Sequence, residues 1–407
     1  MARQKNLAKN TFYRRVLNSL NNGTFFKKVF YRCSLVYFKL FAKFYKIQNT
    51  KIVCQNFIGR GYADNTKYIA EELHRQNRNL EIIWLVNEEF IDYKSQFPEF
   101  VHTIPIFTFA ALKSLATAKI WISNIRGLGI CVPKKNNQIY VQLWHGMFPV
   151  KTIEKDAEEN LDKGYCDMAK KDSLKTDVCI SGCAFMTKIF KESFWYGGEV
   201  LECGTPRNDI LFENIDAVKI RRKLEITEDE KICLYAPTFR TLENSFDYTL
   251  NYMLLKEGLE EKFGGEWKIL LRLHPNVISE AKDIPSFVRD VSFYPDVQEL
   301  LSISNCLISD FSSIMFEFML TKNPVFIYAP DFEEYIKYER RLYFSLEETP
   351  FSIAKTDSEL KQNIITFDIK SYLISVERFI TRFGLFDDGH ASERVVQWML
   401  QKLEEKA

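Results

Sequence analysis

At 407 residues, with 46% hydrophobic and 14% aromatic side chains, the chain holds material for two hydrophobic cores, since single cores stop growing at about 250–300 residues. That apolar content beside 27% charged residues excludes disorder on a large scale. The net charge of +1 hides a polarity: thirteen Lys or Arg precede the first acidic residue, Asp64, and the remaining 344 residues carry 42 basic against 54 acidic groups, a net of −12.

Residues 1–48 read as a basic, aromatic-rich helical segment. Phe25, Phe26, Val29, Phe30, Leu35, Phe38, Phe41 and Phe44 are interleaved with Lys27, Lys28, Arg32, Lys39, Lys43 and Lys46. No uncharged run approaches the roughly 20 residues of a spanning helix. A helix lying in an anionic membrane surface is the preferred reading. The others are a helix packed on the first domain and a nucleic-acid patch. Nine scattered Cys without a CxxC, and no signal peptide, point to reduced thiols in a cytosolic compartment.

From Lys51 strands alternate with helices. Lys51–Phe57 is strand-like and runs into Gly59-Arg60-Gly61, and a helix is predicted from Asp64 to about Gln76. Leu80–Val86, Lys119–Ser123 and Ile139–Leu143 are further apolar runs. Such alternation predicts a parallel sheet with crossover helices. Val178–Ile180 and Val200–Glu202 lie near a domain junction at residues 200–215. Ile232–Tyr235, Ile269–Arg272, Cys306–Ile308 and Val325–Tyr328 follow as strands, with helices over Val297–Ser304, Ser313–Leu320 and Ala391–Leu403. The predicted division is a segment 1–48, a first domain 49–205 and a second domain 206–407.

Ligands of open α/β sheets bind at the carboxyl ends of strands, and four strands here end in chemically capable residues. Ile139–Leu143 runs into Trp144-His145-Gly146, where glycine permits close backbone approach and the histidine suits a general base; the alternative is a histidine satisfied in the core. Ile232–Tyr235 runs into Ala236-Pro237-Thr238-Phe239-Arg240. Ile269–Leu271 runs into Arg272-Leu273-His274-Pro275, whose Arg and His face one way and suit a diphosphate, or else form a structural ion pair. Cys306–Ile308 runs into Ser309-Asp310-Phe311-Ser312-Ser313, placing Ser312 and Ser313 at a helix start that attracts phosphate or is simply capped. Glu317, one turn on, suits sugar hydroxyls or is an ordinary solvated or salt-bridged carboxylate. Arg207 offers a second cation or stabilises a turn. There is no GxxxxGK[ST], HExxH or GxSxG sequence, and no Asp-x-Asp pair marks a metal-bound sugar nucleotide.

Together these segments resemble the CDP-glycerol glycerophosphotransferase family, which builds teichoic acids and related capsule polymers. The resemblance covers roughly residues 51–400. It rests on QLWHG (142–146), GTPRNDIL (204–211), LYAPTFR (234–240), LRLHP (271–275), SDFSSIMFEF (309–318) with PVFIY (324–328), and DGHASER (388–394). It implies a GT-B architecture, two Rossmann-like domains with a cleft between them. The implied reaction is attack by an acceptor hydroxyl on the donor phosphorus next to the polyol, with CMP leaving and no metal or other cofactor. His145 is the implied base, and His274 the second catalytic histidine. Arg207, Arg272 and His274 would hold the diphosphate; Pro237, Thr238, Ser312 and Ser313 would line the CDP site, and Glu317 would bind the ribose. Trp144, Gly146 and Arg240 complete the expected substrate contacts. The implied partners are a CDP-polyol donor, a lipid-linked saccharide or polyol-phosphate polymer acceptor, and the cytoplasmic face of the cell membrane, with no nucleic acid. CDP-ribitol in place of CDP-glycerol is one alternative, and a GT-B sugar-nucleotide glycosyltransferase is another. Three departures from the family pattern stand out: the run Met147-Phe148-Pro149-Val150-Lys151 after the glycine carries an apparent extra residue, position 317 is Glu where Asp is often found, and position 390 is His where Lys is common.

Overall fold

The computed structural model describes residues 25–87, 96–213, 217–238, 240, 250–273, 284–338 and 341–404. His274, Pro275, Phe239 and residues 1–24 of the basic segment therefore lie outside the described residues. The chain divides into two units, residues 1–145, 153–209 and 386–407, and residues 146–152 and 210–385.

The first unit carries a seven-stranded sheet. Its strands are β1 (Gln48–Gln55), β2 (Glu81–Val86), β3 (Val101–Pro105), β4 (Ala118–Ser123), β5 (Ile139–Gln142), β6 (Val178–Ser181) and β7 (Glu199–Glu202). The order is β3-β2-β1-β4-β5-β6-β7, and every pairing is parallel. Helices cover both faces, so these strands read as continuous apolar runs. Ile52, Cys54, Ile82, Trp84, Ile120, Ile122 and Val141 point into one core, and Val53, Ile83, Leu85, Trp121 and Tyr140 into the other. The helix Asp64–Gln76 presents Ile69, Ala70 and Leu73 to the first core. Gly59 turns the chain after β1 at φ +81°. A Cβ there would lie 2.3 Å from the Asn87 backbone nitrogen, so only glycine fits.

The helix Phe25–Phe41 buries Tyr31, Ser34 and Phe38, with Ala42 just beyond it, and thereby closes the second core. Removing Phe38 from water stabilises by about 1.5–3 kcal/mol. This helix packs on the first unit and also leaves Val29, Phe30, Val36, Tyr37, Leu40, Phe41 and Phe44 exposed around it. Among the described residues no helix is long and apolar enough to cross a membrane.

The second unit carries a six-stranded sheet of β8 (Lys231–Tyr235), β9 (Trp267–Leu271), β10 (Val288–Asp290), β11 (Cys306–Ser309), β12 (Val325–Tyr328) and β13 (Ser352–Ala354). Its order is β10-β9-β8-β11-β12-β13, again all parallel. Counted from each unit's first strand, both sheets follow the 3-2-1-4-5-6 order of the Rossmann fold, the first with one strand more. The order reverses between β1 and β4 in the first unit and between β8 and β11 in the second, which marks two switch points.

The last 22 residues differ from expectation. The helix Ala391–Glu404, placed by sequence with the second domain, sends Val395, Val396 and Met399 into the first unit's core. The tie is local. Asp209 accepts from the backbone N–H groups of Ala391 (2.9 Å) and Ser392 (2.7 Å), capping this helix, and Asn208 Nδ2 donates to Asp387 (3.0 Å). The segments GTPRND and DGHASER are thus two halves of one hydrogen-bonded junction.

Candidate active site

In the first unit, polar residues gather where β1, β4 and β5 end. Asn124, fully buried after β4, accepts from the Phe57 N–H (2.9 Å) and donates to Asn56 Oδ1 (2.6 Å) across the switch point. The Asn124 carbonyl oxygen lies 3.1 Å from His145 Nδ1. A carbonyl only accepts, so Nδ1 carries the proton and Nε2 is the basic nitrogen of the neutral ring. The ring is half-buried, 4.2 Å from the Trp144 ring and 5.5 Å from that of Phe57, between centroids. Trp144 is itself buried against Phe194, with a left-handed φ of +53°.

Arg207 is expected at the diphosphate by resemblance. It belongs to the first unit, is buried, and forms an ion pair with Asp64, while its backbone N–H donates to Asn65 Oδ1 (3.0 Å). A guanidinium neutralised by a buried carboxylate serves the junction described above.

In the second unit, the switch point is held by Asp310, fully buried after β11. It accepts from the Thr238 N–H (2.9 Å), the Thr238 hydroxyl (2.5 Å) and the Phe311 N–H (2.7 Å). It also pairs with Arg240 Nη2 (2.8 Å). Arg240 grips Asp331 through Nε (2.6 Å) and Nη2 (2.9 Å) and donates from Nη1 to the Thr238 carbonyl (2.6 Å). Its plane lies 4.7 Å from the Tyr335 ring centroid, and that ring stacks on Phe311. Burial pulls the Arg240 pKa down, but the bond to Asp331 and the charges of both aspartates outweigh it and hold the guanidinium above its ordinary value. Arg240 and Thr238, expected to contact substrate, spend their polar groups on this scaffold. Pro237 is buried beside them.

Arg272 is different. Its Nη1 donates to the carbonyls of Val291 (3.2 Å) and Tyr294 (2.7 Å), and among the described residues no carboxylate pairs with it. Burial pushes its guanidinium down to about 10, opposed only in part by the charge of Asp296. A desolvated cation facing neutral oxygens is what an incoming anion stabilises.

Ser312 and Ser313 are half-buried. The predicted helix over Ser313–Leu320 is observed as Ile314–Phe318 followed by a tighter turn, Met319–Thr321. Ser313 precedes this helix without a capping hydrogen bond, and a Cβ added at Gly146 would lie 3.6 Å from its hydroxyl. Glu317 is 1% exposed and accepts from Gln298 Nε2 (2.7 Å), which rules out a solvated carboxylate. The unusual stretch after Gly146 is anchored by Phe148, fully buried against Phe316, Phe379 and Phe383. Lys151 lies over the Tyr335 ring (5.0 Å).

The sequence model of CDP-glycerol:poly(glycerophosphate) glycerophosphotransferases matches residues 36–401. The chain belongs to this family. It is 31% identical to a teichoic acid poly(glycerol phosphate) polymerase of Bacillus spizizenii, over 86% of this chain and 91% of the relative. It is 31% identical to a teichoic acid glycerol-phosphate transferase of Staphylococcus aureus, over 88% and 95%. The chain spans about half the length of two other poly(glycerol phosphate) polymerases that it matches, from Staphylococcus epidermidis and Bacillus subtilis. A ribitol-phosphate primase of Bacillus spizizenii is 28% identical over 89% of this chain and 94% of the relative. A solved structure of the wall teichoic acid polymerase TagF superposes with a TM-score of 0.81 at 29% identity, covering 98% of this chain and 99% of that one. A variant of that polymerase has also been solved after soaking with CDPG. The chain is accordingly a transferase of the glycerophosphotransferase type.

Within this family frame, sequence reading alone passed over Asn56, Asn65, Asn124 and Gln142. The usable signal was a polar residue at or just past the carboxyl end of an apolar run, as at Ser123-Asn124 and Val141-Gln142. It also passed over Arg126, which is buried with Glu154 (3.4 Å) and Asp172 (3.8 Å) and lies against the Phe194 ring.

Proposed function

We propose that the chain transfers glycerol phosphate from CDP-glycerol to a lipid-linked or polymer acceptor in teichoic acid or capsule synthesis, releasing CMP. In this reading the chain is a GT-B enzyme whose first unit supplies the base and whose second unit holds the donor. His145 Nε2 takes the proton of an acceptor hydroxyl while that oxygen attacks the phosphorus next to the glycerol. The bond to the CMP oxygen breaks, and catalysis comes from positioning and charge stabilisation. Two observations support the reading, one in each unit: the His145 tautomer set by a carbonyl, and Arg272, a desolvated cation that pairs with no carboxylate among the described residues. His274, which follows Leu273 in the chain, supplies a further donor to the diphosphate. Ser312 and Ser313 line the CDP side, and Glu317 meets the ribose.

Glycerol is preferred to ribitol because relatives named for glycerol phosphate stand nearer in sequence. The test offers CDP-glycerol, CDP-ribitol and several sugar nucleotides with a lipid-linked acceptor and measures nucleotide release and product mass. CMP release with CDP-glycerol is expected, and Arg272→Gln should raise the KM for that donor roughly 10–100-fold, the worth of a charge-assisted phosphate contact. Turnover of a sugar nucleotide instead, or an unchanged KM, removes the corresponding part of the proposal.

The enzyme also binds the cytoplasmic face of the membrane through the outer face of the helix Phe25–Phe41. Exposed Phe30, Leu40, Phe41 and Phe44 stand among exposed Arg32, Lys39 and Lys43, as an anionic surface requires. Deleting this helix would open the core at Phe38, so surface replacements make the cleaner test. Phe30→Ser with Leu40→Ser should weaken sedimentation with phosphatidylglycerol vesicles roughly tenfold per side chain, and salt should weaken it further. Binding that ignores both changes rules this face out.

A further inference from the structure

Trp144 is the hinge on which the presentation of His145 depends. Its left-handed backbone, at φ +53°, is a conformation that a bulky residue keeps only when its surroundings impose it. Two buried amide side chains do so. Gln142 Oε1 accepts from the Trp144 N–H (2.9 Å), while Gln142 Nε2 donates to the Ile125 carbonyl (3.0 Å) and to the Tyr140 hydroxyl (3.2 Å). Asn65 Nδ2 donates to the Trp144 carbonyl (3.2 Å), and Asn65 Oδ1 accepts from the Arg207 N–H (3.0 Å). Both amides are at most 2% exposed. Their orientation is fixed by partners: Trp144 N–H only donates and Trp144 C=O only accepts.

We propose that Gln142 and Asn65 are positioning residues for the His145 imidazole, gripping the Trp144 peptide from both ends so that Nδ1–H meets the Asn124 carbonyl and Nε2 is presented as the base. The Ile125 carbonyl that receives Gln142 belongs to the same turn as the Asn124 carbonyl that receives His145. One side chain therefore sets both the ring and its acceptor. The inference rests on reading His145 as the base.

The test compares Gln142→Met, of similar shape but unable to form these bonds, with Gln142→Glu. A buried Glu is held neutral by desolvation and keeps one donor and one acceptor. The full-length protein is labelled with 15N-histidine, and the His145 signals are assigned by their loss in His145→Asn. The wild type should show a single Nδ1–H tautomer. Gln142→Met should show a tautomer mixture and a kcat about 100-fold lower, with the donor KM within threefold, since a 1 Å misplacement costs that much. Gln142→Glu should recover the single tautomer and most of the rate. Wild-type kcat in Gln142→Met overturns the proposal, and so does a lost kcat with the tautomer unchanged. If Gln142→Met does not fold, Asn65→Ala carries the same test from the other end of the peptide. Failure of the base reading is separable: it shows as wild-type turnover in His145→Asn, whatever the Gln142 variants do.

Discussion

Replacing His145 with asparagine is expected to lower the rate of CMP release by roughly 10²–10⁴-fold, the usual worth of a positioned general base. Donor KM and thermal unfolding should stay near wild type. Asparagine separates the two things the histidine does. Its amide can still donate to the Asn124 carbonyl, which His145 Nδ1 meets at 3.1 Å, but it has no nitrogen able to accept a proton from a hydroxyl. The hydrogen bond from the half-buried ring to the Asn124 carbonyl is worth about 1 kcal/mol, and asparagine can keep it. A base acts only in the transition state, so kcat and kcat/KM should fall together. A rise in KM at unchanged kcat would instead mark a residue that merely binds the acceptor. Activity within threefold of wild type would remove His145 from the chemistry.

The alternation of apolar runs sufficed for the inner strands because both faces of a parallel sheet are covered. Ile52–Cys54, Ile120–Ile122 and Leu307–Ile308 have no solvent side and so no polar residues to break the run. The edge strands β3, β10 and β13 escaped for the converse reason. Val101–Pro105, Val288–Asp290 and Ser352–Ala354 lie at sheet margins, are short, and mix exposed with buried positions. In the candidate site, His145 could be singled out from sequence because a histidine at a strand end is a residue type suited to proton transfer. The arginines were not separable by type: Arg207, Arg240 and Arg272 all stand beside strand ends or turns, and only the fold shows which of them has a carboxylate beside it. Asp64 lies 143 residues from Arg207, and Asp331 lies 91 from Arg240. Such pairings are set by the fold, and local sequence does not carry them.

That distinction gives Arg240 a second large and separable effect. Arg240→Met should destabilise the second unit by about 3–5 kcal/mol, because it strands the buried Asp310 and the half-buried Asp331 without their cation. Removing the guanidinium also uncovers the Thr238 carbonyl, and the stacked Phe311–Tyr335 pair loses the cation lying over it. The folded-state pKa of Arg240 is raised above its unfolded value. Its contribution is therefore complete below the ordinary arginine pKa, and would be lost only as pH climbs through a folded-state value higher still. Denaturant midpoints measured between pH 6 and 9 should show the same deficit for Arg240→Met throughout, with the urea slope unchanged. Arg240→Met with Asp331→Leu should recover part of the loss, since a stranded charge costs more than an absent pair. If Arg240 were instead held for the donor, the variant would unfold like wild type and reveal itself only through a raised KM for the CDP substrate.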